Sequence, residues 1–308
     1  MTKSSASGKI ILFGEHAVVY GRPALAVPVT QVQAEVEILD SSRPGIWIEA
    51  PDVNLSAELN TLPSDHPVAS VIHNFLFLAR LPRFPNLEIH IASTIPVASG
   101  LGSGAAVTVA LTRGLAAHLD HAMTLEEINA FAHEIEKLHH GTPSGIDNTV
   151  VTYAMPIYFV KGEPIETFSV GEPFTILIAD TGIVAPTKEA VGDVRHLWMS
   201  DRARWETVFD KIGEISFTAR RAMEAGKWEL LGDLMNENHA LLQTLTVSSP
   251  ELDRLVETAR RAGALGAKLS GGGRGGNMIA LVRAEMARTV SSALREAGAV
   301  STVMTQVV

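Results

Sequence analysis

The 308-residue sequence contains no cysteine, which removes disulfides, zinc fingers, iron–sulfur ligation and a thiol nucleophile and fits a reducing compartment. It also lacks an excess of cations. Twenty-five Lys and Arg against 34 Asp and Glu leave a formal net charge of −9, the wrong sign for a phosphate polymer unless the cations gather on one face. The basic pairs present, Arg220-Arg221 and Arg260-Arg261, lie among acids in helical patterns and read as solvated faces, so no nucleic-acid partner is expected. No stretch reaches the roughly 18 to 20 uncharged apolar residues of a bilayer span, and residues 1–8 are too polar for a signal peptide. A cytoplasmic protein with no membrane partner is expected. What the chain does have is 46% hydrophobic residues against 19% charged ones, which excludes disorder and suits one large α/β domain or two packed ones.

Residues 9–13 and 27–39 alternate as antiparallel strands, and Leu87, Ile89 and Ile91 alternate with Glu88 and His90 in another. After Gly100-Leu101-Gly102-Ser103-Gly104 the period changes, and 105–119 read as a buried helix. Thr124 and Glu127 form a capping box for a helix running to about His140. Residues 146–160 read as a turn followed by a β-rich run, and 161–164 as a hairpin turn or connection. Beyond a boundary near 165, residues 174–179 read as a strand, 202–225 and 227–244 as helices, and Ser249-Pro250 as a helix start. The order predicts two α+β halves with mixed or antiparallel sheets rather than a βα barrel.

Three segments carry chemistry. A glycine-rich turn between a strand and a helix, as at 100–106, gathers unpaired N–H groups and the positive end of a helix dipole, which suits an anion, although such turns also occur for structural reasons alone. Gly8-Lys9 is followed by Ile10, so no Walker A loop is present. Gly271, Gly273 and Gly276 have dinucleotide-fingerprint spacing, but they precede a strand instead of opening a helix. Either close approach of backbone to a ligand or a tight loop explains them. At 143–148, Pro-Ser-Gly-Ile-Asp-Asn holds Asp147 in a turn, eleven residues after Glu136, so two carboxylates could converge. His133, Glu136 and His140 share a helix face, yet no ligand from another element supports zinc.

Together, Ser7 through Gly21 (SGKIILFGEHAVVYG), Pro96 through Ala106 and Lys268 through Gly276 resemble the three motifs of the GHMP small-molecule kinase family, across the whole chain. The 143–148 turn is the most discriminating piece. The resemblance implies a two-domain α+β fold. Residues 1–165 would be a nucleotide-binding domain with a mixed or antiparallel sheet and 166–308 a ferredoxin-like domain, with the active site in the cleft between them. It implies ATP-dependent phosphorylation of a primary hydroxyl, that of mevalonate, with Mg²⁺. By the same resemblance Pro96, Ala98, Ser99, Gly100, Leu101, Gly102, Ser103, Gly104, Ala105 and Ala106 hold the triphosphate, and Ser103 and Glu136 the metal. Asp147 takes or orients the hydroxyl proton, Lys9 pairs with it, and Glu15, His16, Ser144, Gly145, Thr187 and Gly272 lie near substrate. Gly104 replaces the usual second serine and Arg274 a usual glycine; an arginine there is expected to contact phosphate or a substrate carboxylate. A relative acting on phosphomevalonate or another small alcohol, and a non-catalytic ATP or metabolite sensor, are the alternatives; a homodimer is compatible with either.

Overall fold

The computed structural model describes residues 1–81, 83–96, 100–140 and 143–308. In chain order its elements are β1 (Thr2–Phe13), β2 (Ala24–Asp40), β3 (Ile46–Ala50), β4 (Leu55–Glu58), α1 (Pro67–Ala79), β5 (Leu87–Ser93), α2 (Ser103–His118), α3 (Leu125–His140), α4 (Ile146–Tyr153), β6 (Ile157–Phe159) and β7 (Glu166–Thr167). They continue with β8 (Phe174–Asp180), α5 (Thr187–Ser200), α6 (Arg202–Glu224), α7 (Trp228–Thr244), α8 (Pro250–Arg261), β9 (Gly266–Leu269), β10 (Asn277–Val282), α9 (Ala287–Glu296) and β11 (Ser301–Val307). The chain packs as two compact units. The described residues of Met1–Gly8, Val32–Val97 and Leu101–Ala154 form the first, while Lys9–Gln31 and Met155–Val308 form most of the second. Neither is one unbroken stretch of chain.

In the first unit β3 is antiparallel to β4 and parallel to β5, which is antiparallel to β2. This register sets Ile38, Ile89 and Ile48 side by side, all fully buried. Such a cross-strand apolar row is what fixes register, since a one-residue slip would turn the whole set to solvent. Helix α2 lies so close over it that a Cβ on Gly114 would stand 3.2 Å from the Ile38 Cδ1. The capping box forms as expected: Thr124 N–H donates to the Glu127 carboxylate at 2.7 Å, and Glu127 N–H to Thr124 Oγ1 at 3.2 Å. Residues 146–153 correct the reading of a β-rich run. They form α4, led by Gly145 at φ 89° and tied by a 2.6 Å bond from Thr149 Oγ1 to the Gly145 carbonyl. The β-branched run favours strand intrinsically, but burial of Val150 and Val151 among α2 and α3 overrides that preference. Helices α1 and α5, each starting at or just after a proline, are also additions to what the sequence pattern predicts.

The second unit's sheet is antiparallel throughout in the order β11-β8-β10-β9. With α8 before β9 and α9 before β11, this is the expected ferredoxin-like arrangement. Leu177 and Ala179 of β8, Ala267 and Leu269 of β9, and Met278, Ala280 and Val282 of β10 all join one core with Leu252, Leu255 and Val256 of α8 and Val290 and Leu294 of α9. The two-residue period of a strand therefore directs Lys268 to the opposite face of β9. Ser249 caps α8 by accepting from Leu252 N–H at 3.3 Å, as its place before Pro250 predicts.

Candidate active site

Strand β1 ends at Phe13, and the chain turns sharply at Gly14, where φ is 92°. A Cβ there would lie 2.4 Å from the Ala24 Cα, so only glycine fits. The turn presents Glu15 and His16, both buried, the latter at φ 61°. Lys268, with no exposed surface, meets Glu15 in an ion pair and donates to the Leu269 carbonyl at 2.6 Å. The other carboxylate oxygen, Glu15 Oε2, is buried without a hydrogen-bond partner among the described residues. Burial pushes the Glu15 carboxyl up, against the pull of Lys268, its own backbone amide and Lys9, and pushes the Lys268 ammonium down against the pull of Glu15. Lys9 itself is buried on β1.

The His16 imidazole donates from Nε2 to the Gly272 carbonyl at 3.1 Å, which leaves Nδ1 as the ring's acceptor. Its pKa is lowered from 6.5 to about 4 by burial, as is that of His239, also buried. Because the folded values lie below the unfolded ones, the unfolded chain binds more protons between them. Stability is therefore fully present above pH 6.5 and lost as the pH falls toward 4, by roughly 3 kcal/mol for each histidine. Urea unfolding midpoints at pH 7.5, 6 and 5 will show a steady decline across that interval; a flat profile counts against neutral burial of the two rings.

Gly272 abuts Thr187, the first residue of α5: a Cβ on it would lie 2.8 Å from Thr187 Oγ1. The glycine loop is zipped to the loop between β8 and α5 by Thr181 N–H to the Gly276 carbonyl at 2.9 Å and Gly276 N–H to the Ile183 carbonyl at 2.9 Å. As the dinucleotide argument anticipates, it connects two strands and opens no helix. Arg274 turns to Asp193 on α5, Nη1 to Oδ2 at 2.5 Å, so its charge already has a carboxylate partner within the protein.

In the first unit, Gly102 stands at φ 74° as the N-cap of α2 and, being glycine, offers the helix no capping side chain. Ser103 opens it half-buried, Gly104 is exposed with open space beside it, and Leu101, Ala105 and Ala106 are buried. Among the described residues no N-cap side chain takes up the first amides of this 16-residue helix, an arrangement that suits an anion. Of the other residues expected there, Pro96 is half-buried, Gly100 exposed, and Ala98 and Ser99 lie outside the described residues. Glu136 is half-buried on α3, which packs on α2. Asp147 occupies the first turn of α4. Ser144 Oγ accepts from Ile146 N–H at 3.3 Å, and buried Asn148 donates to the Asn129 side chain at 2.6 Å, a latch between α4 and α3 that no motif in the sequence announces.

No group of three or more His, Asp or Glu able to hold a metal occurs among the described residues. A hydroxyl and a carboxylate on two packed helices offer oxygen only, a donor set suited to Mg²⁺ completed by phosphate and water and unsuited to zinc. No helix among the described residues is long and apolar enough to cross a membrane.

Residues 68–155 match the family model for the GHMP kinases N terminal domain, and 219–300 that for GHMP kinases C terminal. The chain is 36% identical over 312 residues to a mevalonate kinase of Pyrococcus abyssi, spanning 96% of this chain and 92% of that one. It is 38% identical over 319 residues to a mevalonate kinase of Thermococcus gammatolerans, spanning 96% and 93%. The crystal structure of L. major mevalonate kinase in complex with R-mevalonate is similar with a TM-score of 0.87 at 29% identity, over 100% of this chain and 96% of that one.

Proposed function

The chain belongs to the GHMP kinase family, and from that premise we propose that it transfers the terminal phosphoryl group of ATP to the primary hydroxyl of mevalonate, giving 5-phosphomevalonate and ADP. The observation that carries the substrate is likeness along nearly the whole chain to proteins that act on it, one of them solved with R-mevalonate bound.

Phosphoryl transfer passes through a loose transition state, so the protein's task is positioning and charge neutralisation more than covalent chemistry. The uncapped amides opening α2 suit the phosphates. Ser103 Oγ and the Glu136 carboxylate would hold Mg²⁺, which supplies neutralisation of phosphate charge. With Gly104 in the second serine's place, Ser103 is the sole hydroxyl at the start of α2. Asp147 takes the proton of the attacking hydroxyl, and Lys9 steadies the charge that develops on that oxygen. Glu15 and neutral His16 bind the alcohol through acceptor atoms, with Thr187 and Gly272 forming the adjoining wall and Ser144 and Gly145 shaping the turn that carries Asp147.

Coupled ADP release from purified protein, supplied separately with mevalonate, its monophosphate and homoserine, tests the reading. Turnover with mevalonate at least about tenfold above either alternative is expected, a discrimination of about 1.4 kcal/mol in transition-state binding. Preference for another alcohol overturns the substrate, and ATP binding without turnover on any of them favours a sensor.

A further inference from the structure

A second polar cluster lies where α7 meets α8. His239, buried on α7, accepts the Leu269 N–H at Nδ1 over 3.3 Å. Its Nε2 must then carry the proton, and it faces the Asp253 Oδ1 at 3.2 Å. The same oxygen takes the Ser248 hydroxyl. Lys268 and Arg260 are the cations facing this ring, and both of its nitrogens are committed within the protein. Serine, aspartate and histidine are present, but aspartate stands in the middle and the histidine is walled off, so the group is no nucleophilic triad.

What the cluster touches is the edge strand β9. An edge strand has a row of backbone groups with no neighbouring strand to pair them, and each one buried unpaired is costly. Here α7 and α8 serve as that neighbour. Asn236 Oδ1 takes the Ala267 N–H at 3.1 Å, His239 takes Leu269 N–H, and Arg260 donates to the Ala267 carbonyl at 2.7 Å. The close approach depends on facing glycines: a Cβ on Gly266 would lie 2.1 Å from the Gly232 carbonyl oxygen. The chain between α7 and α8 also props the glycine loop. Val247 carbonyl accepts Arg274 N–H at 2.8 Å, and a Cβ on Gly273 would lie 1.9 Å from that carbonyl oxygen. So one junction fixes both β9, which carries Lys268 to Glu15, and the loop whose Gly272 carbonyl holds His16.

We propose that His239 and Asp253, assisted by Ser248, are positioning residues for alcohol binding, acting through β9 and the glycine loop on Glu15 and His16. This rests on the reading of those two residues as the alcohol's binding groups. The loss of such support weakens alcohol binding and leaves ATP binding alone, whereas a merely structural role lowers thermal stability and leaves both Michaelis constants alone.

The test compares Asp253→Ala, Asp253→Asn and the milder Ser248→Ala. Asp253→Ala is expected to raise KM for mevalonate about tenfold with KM for ATP within about twofold; Asp253→Asn, which keeps an acceptor oxygen, is expected within about threefold of wild type, and Ser248→Ala between the two. In the unliganded protein, hydrogen exchange at the Leu269 and Arg274 amides should rise at least about tenfold in Asp253→Ala, a readout that needs no activity. If wild type ignores mevalonate, the proposed substrate fails and exchange alone decides the support. If wild type turns over but Asp253→Ala leaves both KM values and exchange unchanged, or Asp253→Asn is as impaired as Asp253→Ala, the positioning role is wrong. Should Asp253→Ala not fold, an unchanged mevalonate KM and unchanged exchange in Ser248→Ala overturn it equally.

Discussion

Asp147→Asn is expected to lower kcat by about 10²- to 10⁴-fold while KM for ATP stays within about twofold. The substitution keeps side-chain shape and removes the proton acceptor. In the first turn of α4, behind Gly145 in the left-handed region, Asp147 is held by a turn whose next residue, Asn148, is latched to Asn129. The turn survives the change because neither Gly145 nor Asn148 is touched. A carboxylate in the first turn also favours the helix dipole, but that is worth only about 0.3–1 kcal/mol, against about 3–5 kcal/mol in the barrier for the expected rate loss. Folding should therefore be nearly intact and chemistry nearly gone. Steady-state ADP release beside a melting curve distinguishes these effects, and near-normal turnover in a folded variant removes Asp147 from its assigned role.

What the sequence makes legible follows how local each signal is. The capping box at Thr124 and Glu127 and the Ser249-Pro250 start depend on residues three apart, and both form. The glycines at 271, 273 and 276 are correctly told from a dinucleotide fingerprint because a β-rich segment, instead of a helical one, follows them. Residues 146–153 mislead because a Thr-Val-Val-Thr run states a preference that packing among α2 and α3 overrides, and burial is not a local property. The site divides the same way. Glu15 and His16 are found through their motif, but the partner of Glu15 stands 253 residues away, and no periodicity connects them. A signal for it does exist: in Gly266-Ala267-Lys268-Leu269 a lone cation interrupts a small apolar strand, and a charge in such a place asks for a buried partner. His239 leaves no comparable mark, since a histidine on a long helix with period-four neighbours reads as surface or core alike. Arg274 shows the converse: nothing in its own motif points to its partner Asp193, on a helix that the sequence pattern does not announce.

Lys268→Met is expected to destabilise the second unit by about 3–5 kcal/mol, the cost of stranding one member of a buried ion pair. Lys268 has no exposed surface and Glu15 only 2%, so water cannot replace the lost partner. Without Lys268 the remaining attractions on the Glu15 carboxylate are its own backbone amide and Lys9, and burial then pushes its pKa up with less opposition. Its opposite, Glu15→Gln, strands the ammonium and should cost a similar amount. The double variant Glu15→Gln/Lys268→Met removes both charges while conserving volume, and on the general behaviour of buried pairs it should regain most of the stability, because the attraction between the two charges roughly balances their desolvation. It should not regain alcohol binding. Glu15 Oε2 is buried without a hydrogen-bond partner among the described residues, and under the proposed function this unpaired acceptor is the one that takes the alcohol's hydroxyl. Urea midpoints and mevalonate KM for the three variants thus separate a stabilising role from a binding role, which a single substitution confounds. A double variant that is stable yet binds the alcohol as wild type does makes the pair a packing device only; a single Lys268→Met as stable as wild type means water reaches the pair after all.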